Sequence, residues 1–224
     1  MLRLVKQLLP DRSMMLTVWA GPFRGARVMA NPRASLRKVL GLYEHELNGW
    51  LERALPRVSR LIDVGANDGY FAFGFAAAMG RLNRPAEIIC FEPQPQHQAE
   101  LRGGIAALAG SRVAASLIPS LAGSREAANM TTLDALPVAD RDRTLIKIDV
   151  EGAELDVMAG ARSWLRPSNL FVIEVHKRAD VEPLLRLFAD HGLALVQVDQ
   201  RPLPILGREE RDADNRWLVS ALPA

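Results

Sequence analysis

Asp63-Val64-Gly65-Ala66-Asn67-Asp68-Gly69 is the segment whose residue types and spacing could do the most chemistry. It follows a short apolar run, Arg60 to Val64, and precedes an apolar helical stretch, Phe71 to Met79. Glycines at both ends allow a sharp turn and a close approach between backbone and ligand. A second acid, Glu92, directly follows another apolar run, Ala86 to Phe91, and Pro93 stops that run. Asp149 and Glu151 stand at the end of a third run that begins at Thr144, and Glu174 and His176 close a fourth that begins at Leu170.

The chemistry of the loop narrows its ligand. A dinucleotide fingerprint needs G-x-G-x-x-G, with amides free to hold a pyrophosphate at a helix N-terminus. Here the turn reads G-A-N-D-G, and Asp63 and Asp68 would repel a diphosphate. No lysine-bearing phosphate loop is present either. S-adenosylmethionine (SAM) carries no phosphate, and its ammonium and sulfonium groups are cations, so acids near the turn suit it. A carboxylate at Glu92 could accept both ribose hydroxyls. Taken singly, Asp63 reads as a turn former and Glu92 as a loop acid; together, at the ends of adjacent strands, they favour the cofactor.

Alternating elements must position these residues. Residues 14–30 read as two short strands around Gly21-Pro22 and Gly25, and residues 43–55 as a helix stopped by Pro56. Strands at Arg60 to Val64 and Ala86 to Phe91 are each followed by a helix: Phe71 to Met79, with Gly80 as its C-cap, and Gln96 to Leu108. Val113 to Leu121 should contain a further strand whose end Pro119 leaves open, and others are expected at Thr144 to Asp149 and Leu170 to Val175, with helices over Glu151 to Leu165 and Val181 to His191. The last strands, Leu193 to Val198 and Trp217 to Ala221, have no helical pattern between them and should pair as an antiparallel hairpin at one edge. The result is an α/β fold with a doubly wound, seven-stranded, mostly parallel sheet whose last strand is antiparallel. In such a sheet ligands sit beyond the carboxyl ends of the strands, where all four acidic clusters fall. Residues 1–56 are expected to form an N-terminal extension and 57–224 the ligand-binding domain.

The bulk properties exclude several classes. With 224 residues, 49% apolar and 24% charged, the chain is globular in composition. A net charge of +2 with scattered arginines gives no basic stripe for nucleic acid. Cys90, the only cysteine, lies in an apolar run, which rules out an internal disulfide and points to a reducing, cytoplasmic setting. No stretch is long and apolar enough to span a bilayer. Met1 to Pro10 has apolar residues at helical spacing with Arg3 and Lys6 between them; it reads as a helix packed on the domain, with membrane contact the weaker alternative.

Several segments together resemble the FkbM family of SAM-dependent methyltransferases. They are Gly41-Leu-Tyr-Glu44, Ile62 to Phe71, Phe91-Glu-Pro93, Thr132-Leu-Asp134, Ile146-Lys-Ile-Asp-Val-Glu-Gly-Ala-Glu154 with Gly160-Ala161, Ile173-Glu-Val-His176 and Asn215-Arg-Trp-Leu218. The resemblance covers roughly residues 20–220, and the block ending at Glu154 is its most specific part. Asp68 departs from the family, which often has an apolar residue there; its side chain is expected to face solvent. The resemblance implies a class I methyltransferase fold and methyl transfer from SAM, usually to an oxygen of a sugar, polyketide or other small or glycosylated acceptor. The cofactor set it marks is Asp63, Gly65, Ala66, Asn67, Gly69, Tyr70, Phe71, Glu92, Pro93, Glu44 and Asp149, with Tyr43 and Glu44 as a lid.

A hydroxyl acceptor needs a proton acceptor or a metal. Alternation puts Lys147 with Asp149, and Glu174 with His176, on one side of their strands. His176 is the expected base because its ordinary pKa lies near neutrality, with Asp149 and Glu174 beside it. Catechol-type enzymes hold magnesium on carboxylates at similar strand ends, and Asp149, Glu174 and His176 could form such a site. Magnesium prefers oxygen ligands, so His176 fits it poorly, and no metal is expected. Glu154 could serve only the dipole of its helix. Lys147, mid-strand, should pair with an acid; Thr132 and Asp134 could cap a turn as easily as touch the cleft. A SAM-fold scaffold without catalysis and a nicotinamide-dependent oxidoreductase are the competing readings. The missing middle glycine and lack of a nearby Tyr-Lys pair weigh against the latter.

Overall fold

The computed structural model describes residues 10–200, 202–203 and 216–222. The amphipathic start, Met1 to Leu9, and Asn215 lie outside the described residues. The chain opens with an antiparallel hairpin, β1 (Met14–Thr17) and β2 (Arg27–Ala30). Two short helices follow, α1 (Leu36–Leu40) and α2 (Asn48–Ala54), the second flanked by 3-10 turns at His45–Leu47 and Leu55–Arg57. Pro56 falls in the latter turn, just past the helix it was expected to stop.

The main body alternates strands and helices: β3 (Arg60–Val64), α3 (Tyr70–Arg81), β4 (Ala86–Phe91), α4 (Pro95–Ala107) and β5 (Val113–Ile118). After a two-residue parallel pair, β6 (Leu121–Ala122) and β7 (Met130–Thr131), come β8 (Thr144–Ile148), α5 (Glu154–Ala159), β9 (Leu170–Val175) and α6 (Arg178–Ala189). The chain closes with β10 (Leu195–Val198) and β11 (Arg216–Ser220). The seven-stranded sheet has the order β10-β11-β9-β8-β3-β4-β5. β11 is antiparallel to both its neighbours. The expected terminal pair exists, but β11 lies inside the sheet and only β10 is at the edge. Burial explains the choice: Trp217, Leu218 and Val219 are apolar on both faces and need cover on both, whereas β10 is half-exposed.

Successive residues of each strand feed two cores. Leu61, Ile88, Leu145, Val172 and Trp217 pack with α2, α3, α4 and the hairpin. Ile62, Ile89, Ile146, Ile173 and Leu218 pack with α5 and α6. The extension is therefore continuous with the first core, and the Trp50 indole donates to the Ser220 carbonyl at 2.8 Å.

Three local expectations change. Gly80 lies inside α3, and the left-handed residue beyond the helix is Asn83, with φ 53°. The expected helix from Glu151 to Leu165 is broken, because Glu151 and Gly152 take φ values of 53° and 95° and delay the start to Glu154. Gly160 then ends it against Gly123, whose carbonyl leaves no room for a side chain, and a 3-10 turn at Arg162–Trp164 follows. The third strand stops at Ile118, before Pro119.

Candidate active site

Strand register sets the acids in a row. Asp63 of β3 is opposite Lys147 of β8. Ile148 pairs with Ile173, so the next residues, Asp149 and Glu174, stand side by side, with His176 beyond the end of β9. By the same alternation these side chains share the α3 face of the sheet. Lys147 is nearly buried, its ammonium 3.2 Å from Asp149 Oδ2, 3.5 Å from Asp63 Oδ1 and 5.9 Å from the centre of the Phe71 ring. Burial pushes the lysine pKa down, but Asp149, Asp63 and Glu44 outweigh it and hold the amine protonated. Lys147 thus pairs as expected, with two acids rather than one.

Asp63 differs from a solvent-facing cofactor acid. It is wholly buried beneath the loop, and neither of its oxygens has a hydrogen-bond partner among the described residues. Burial raises its pKa to about 6, against the lowering effect of Lys147.

The loop itself is hung from neighbouring strand ends. Gly65 and Ala66 both donate their amides to the Phe91 carbonyl at 3.0 Å, and Asp149 donates its amide to the Val64 carbonyl. Gly65 has φ 80°, and a β-carbon there would lie 1.9 Å from the Asp149 carbonyl oxygen. Asn67 and Gly69 are also left-handed, with φ 50° and 81°. Glu92 is buried, and its two oxygens accept from the Asn67 and Gln94 amides, each at 2.8 Å. Its carboxylate is thereby aimed at the turn, and each oxygen keeps a lone pair.

Asp68 does not face solvent freely. It forms an ion pair with Lys38 of α1 and accepts the Tyr70 amide at 3.1 Å. Lys38 also lies 5.0 Å and 5.4 Å from the ring centres of Tyr43 and Tyr70. Tyr43 meets Tyr70 edge to face, and Glu44, buried at φ 51°, reaches the field of Lys147. Residue spacing carries no signal of the Lys38–Asp68 pair, whose members are thirty residues apart.

His176 departs from the role expected of it. Its Nδ1 lies 2.6 Å from Oε1 of Glu154, which is fully buried and also accepts the Gly152 amide at 2.9 Å. That carboxylate, aided by Glu174 and Asp149, raises the His176 pKa to about 9 against the opposing effect of burial. At neutral pH the ring is a cation and is no free base. Burial disfavours the charged form of Asp149, but Lys147 and His176 prevail and lower its pKa. Glu154 serves this histidine rather than only a helix dipole.

The remaining residues divide simply. Gly65, Ala66, Asn67, Gly69, Glu92 and Asp149 meet around the turn. Tyr70 and Phe71 are core residues edge-on to Phe23, and Pro93 is exposed. Thr132 caps a turn by accepting the Ala135 amide, and Asp134 accepts the Arg162 and Ser163 amides, so neither needs the cleft to explain it. Cys90 is buried, and burial raises its pKa.

The central β3 flanked by parallel β4 and β8, with an inserted antiparallel β11, is the sheet of the class I methyltransferases. Residues 109–193 match the methyltransferase FkbM domain. That stretch carries the Thr132 to Asp134, Ile146 to Glu154 and Ile173 to His176 segments, whereas the loop at Asp63 lies outside it. A methyltransferase FkbM structure from Methylobacillus flagellatus is 17% identical, with a TM-score of 0.56 over 74% of this chain; the chain spans 44% of that protein's length. A protein from Haemophilus influenzae described as a methylase is 16% identical over 94% of this chain and all of its own, with a TM-score of 0.54. A protein from Escherichia coli described as a methyltransferase is 13% identical with the same coverage and a TM-score of 0.51. At these identities the likeness establishes the fold. No curated protein matches the sequence. No described helix is long and apolar enough to cross a membrane.

Proposed function

We propose that this chain binds SAM at the Asp63 to Gly69 turn and methylates a hydroxyl of a small or glycosylated acceptor. The observation that carries the reading is the pairing of that turn with a buried, unbalanced acid row. Left-handed Gly65 and Gly69 let the turn close tightly on the Asp149 carbonyl and on Phe73 and Leu101, which fixes its shape at the strand ends. Asp63, buried with no hydrogen bond at either oxygen among the described residues and with Lys147 shared with Asp149 as its ion-pair partner, sits under the same turn, where a cationic ligand lowers the cost of its charge. SAM supplies an electrophilic methyl group on a sulfonium. Glu92, oriented by two amides, accepts the ribose hydroxyls, and Glu44 and Asp149 face the positive end of the ligand.

Asp149, Glu174 and His176 border the acceptor side and orient its hydroxyl for in-line attack, which can supply much of the acceleration. Calorimetry with SAM and with NAD tests the reading: SAM binds and NAD does not. Binding of NAD without SAM overturns it. Incubation with isotopically labelled SAM and glycan or lipid extracts then identifies the acceptor class.

A further inference from the structure

The acceptor end of the acid row has the spacing of a coordination site. Glu154 fixes the His176 ring through Nδ1, the arrangement that metal-ligating histidines almost always show. Nε2 is then 3.7 Å from Asp149 Oδ1 and 3.6 Å from Glu151 Oε2, too far for hydrogen bonds. Two donors bonded to one ion at ~2.1 Å lie at most ~4.2 Å apart, and these gaps fall within that reach, at an angle wider than the ideal octahedral right angle. Donor atoms of Asp149, Glu174 and His176 all lie within 4.8 Å of one another. Asp149 divides its carboxylate, giving Oδ2 to Lys147 and leaving Oδ1 toward His176. The second oxygen of Glu154 is buried without a hydrogen bond among the described residues.

We propose that Asp149, Glu174 and His176 bind a divalent first-row cation of the manganese class, with Glu154 positioning the imidazole and the ion displacing the Nε2 proton to solvent. Two carboxylates favour a hard ion and the imidazole favours a transition metal over magnesium. Three protein donors leave positions for water or an acceptor oxygen, whose proton the ion makes more acidic. The site shares Asp149 with the proposed methyl-donor site, but its test varies Glu174, His176 and Glu154 and titrates the ion apart from SAM, so failure of one reading is distinguishable from failure of the other.

The test uses the full chain, treated with chelator and then freed of it. Titration with manganese(II) chloride, with the free ion read by electron paramagnetic resonance, gives one bound ion per chain. Glu174→Gln and His176→Ala each weaken binding by at least about tenfold, and Glu154→Gln by about 10- to 100-fold, with circular dichroism unchanged. Spin-echo spectra of the manganese-loaded wild type show nitrogen coupling from the imidazole, a readout that does not need the variants to fold. Absence of saturable binding, absence of nitrogen coupling, or binding that both ligand variants leave unchanged overturns the proposal. SAM is titrated into the same chelated protein. SAM binding without manganese binding sinks only the metal site; manganese binding without SAM sinks only the donor loop.

Discussion

Gly65 has φ 80°, and an added β-carbon would meet the Asp149 carbonyl oxygen at 1.9 Å and its carbonyl carbon at 3.0 Å. Both obstacles are backbone, so no side chain can swing aside. Replacing Gly65 with alanine therefore carries two costs. A left-handed alanine costs ~1–2 kcal/mol. Forcing the end of β8 away from the turn costs a further ~1–3 kcal/mol, the usual range for overpacking. The sum, roughly 2–5 kcal/mol, lowers Tm by roughly 4–20 °C in a chain of this size. It leaves a folded protein if the parent has an ordinary stability of about 5–15 kcal/mol. Because the displaced atoms form the proposed cofactor cradle, SAM affinity should fall about tenfold or more, equal to ~1.4 kcal/mol. Gly80→Ala is the control. Gly80 is exposed within α3, with nothing within 4 Å of an added β-carbon. Alanine there should stabilise by ~1 kcal/mol and raise Tm by ~2–4 °C, with SAM binding unchanged. Differential scanning calorimetry and SAM titration read both variants. If Gly65→Ala melts with the parent and binds SAM equally, the close approach of turn and strand does not exist and the reasoning fails.

Other perturbations separate binding from stability. Asp63→Asn should weaken SAM binding yet raise Tm at neutral pH, because burial lifts the acid's pKa from 3.8 to about 6. Two units at ~1.4 kcal/mol each set a ceiling of ~3 kcal/mol. The cost is present when the acid is charged, above pH 6, and vanishes once both states are protonated, below 3.8; the advantage of the variant must shrink across that window in pH-dependent melts. Asp68→Ala removes the Lys38 pair and the bond to the Tyr70 amide, at a cost of ~1–2 kcal/mol. The Lys38→Ala/Asp68→Ala double variant should lose less than the sum of the singles, and strict additivity would show that the pair contributes nothing. Glu92→Gln sets an amide donor against one of two backbone N–H groups, at a cost of ~1.5–3 kcal/mol. Calorimetry should then find SAM binding about tenfold weaker or more, and full affinity would remove Glu92 from the ribose contact.

Continuous apolar runs identified the strands of the main sheet, because strands covered on both faces are apolar at nearly every position. They left strand order open at the end of the chain. Only the two-sided burial of Trp217, Leu218 and Val219 decides that β11 enters the sheet. The turn at Asp63 was legible because paired glycines between an apolar strand and an apolar helix serve a tight, closely approached backbone and little else. What escaped were effects of contact. Helical spacing cannot reveal that Glu151 and Gly152 turn left-handed. A histidine's ordinary pKa says nothing of a buried glutamate twenty-two residues earlier that holds its proton. Lys38 had no local signal at all, since its partner is set by the fold of α1 over the loop.

The acid row is costly by the standards of a stable fold. Glu44, Asp63, Glu154 and Glu174 are buried carboxylates, and Lys147 and His176 are the cations among them. Burying charges costs several kcal/mol each unless they are paired, and an apolar replacement is often neutral or better. Buried acids at strand ends suit a site that a cationic ligand completes. On the reading proposed above, SAM would do so with an ammonium and a sulfonium, and methyl transfer would turn the sulfonium into a neutral thioether. On that reading the same row would favour the charged cofactor over its neutral thioether product, and SAM should bind more tightly than S-adenosylhomocysteine in calorimetry.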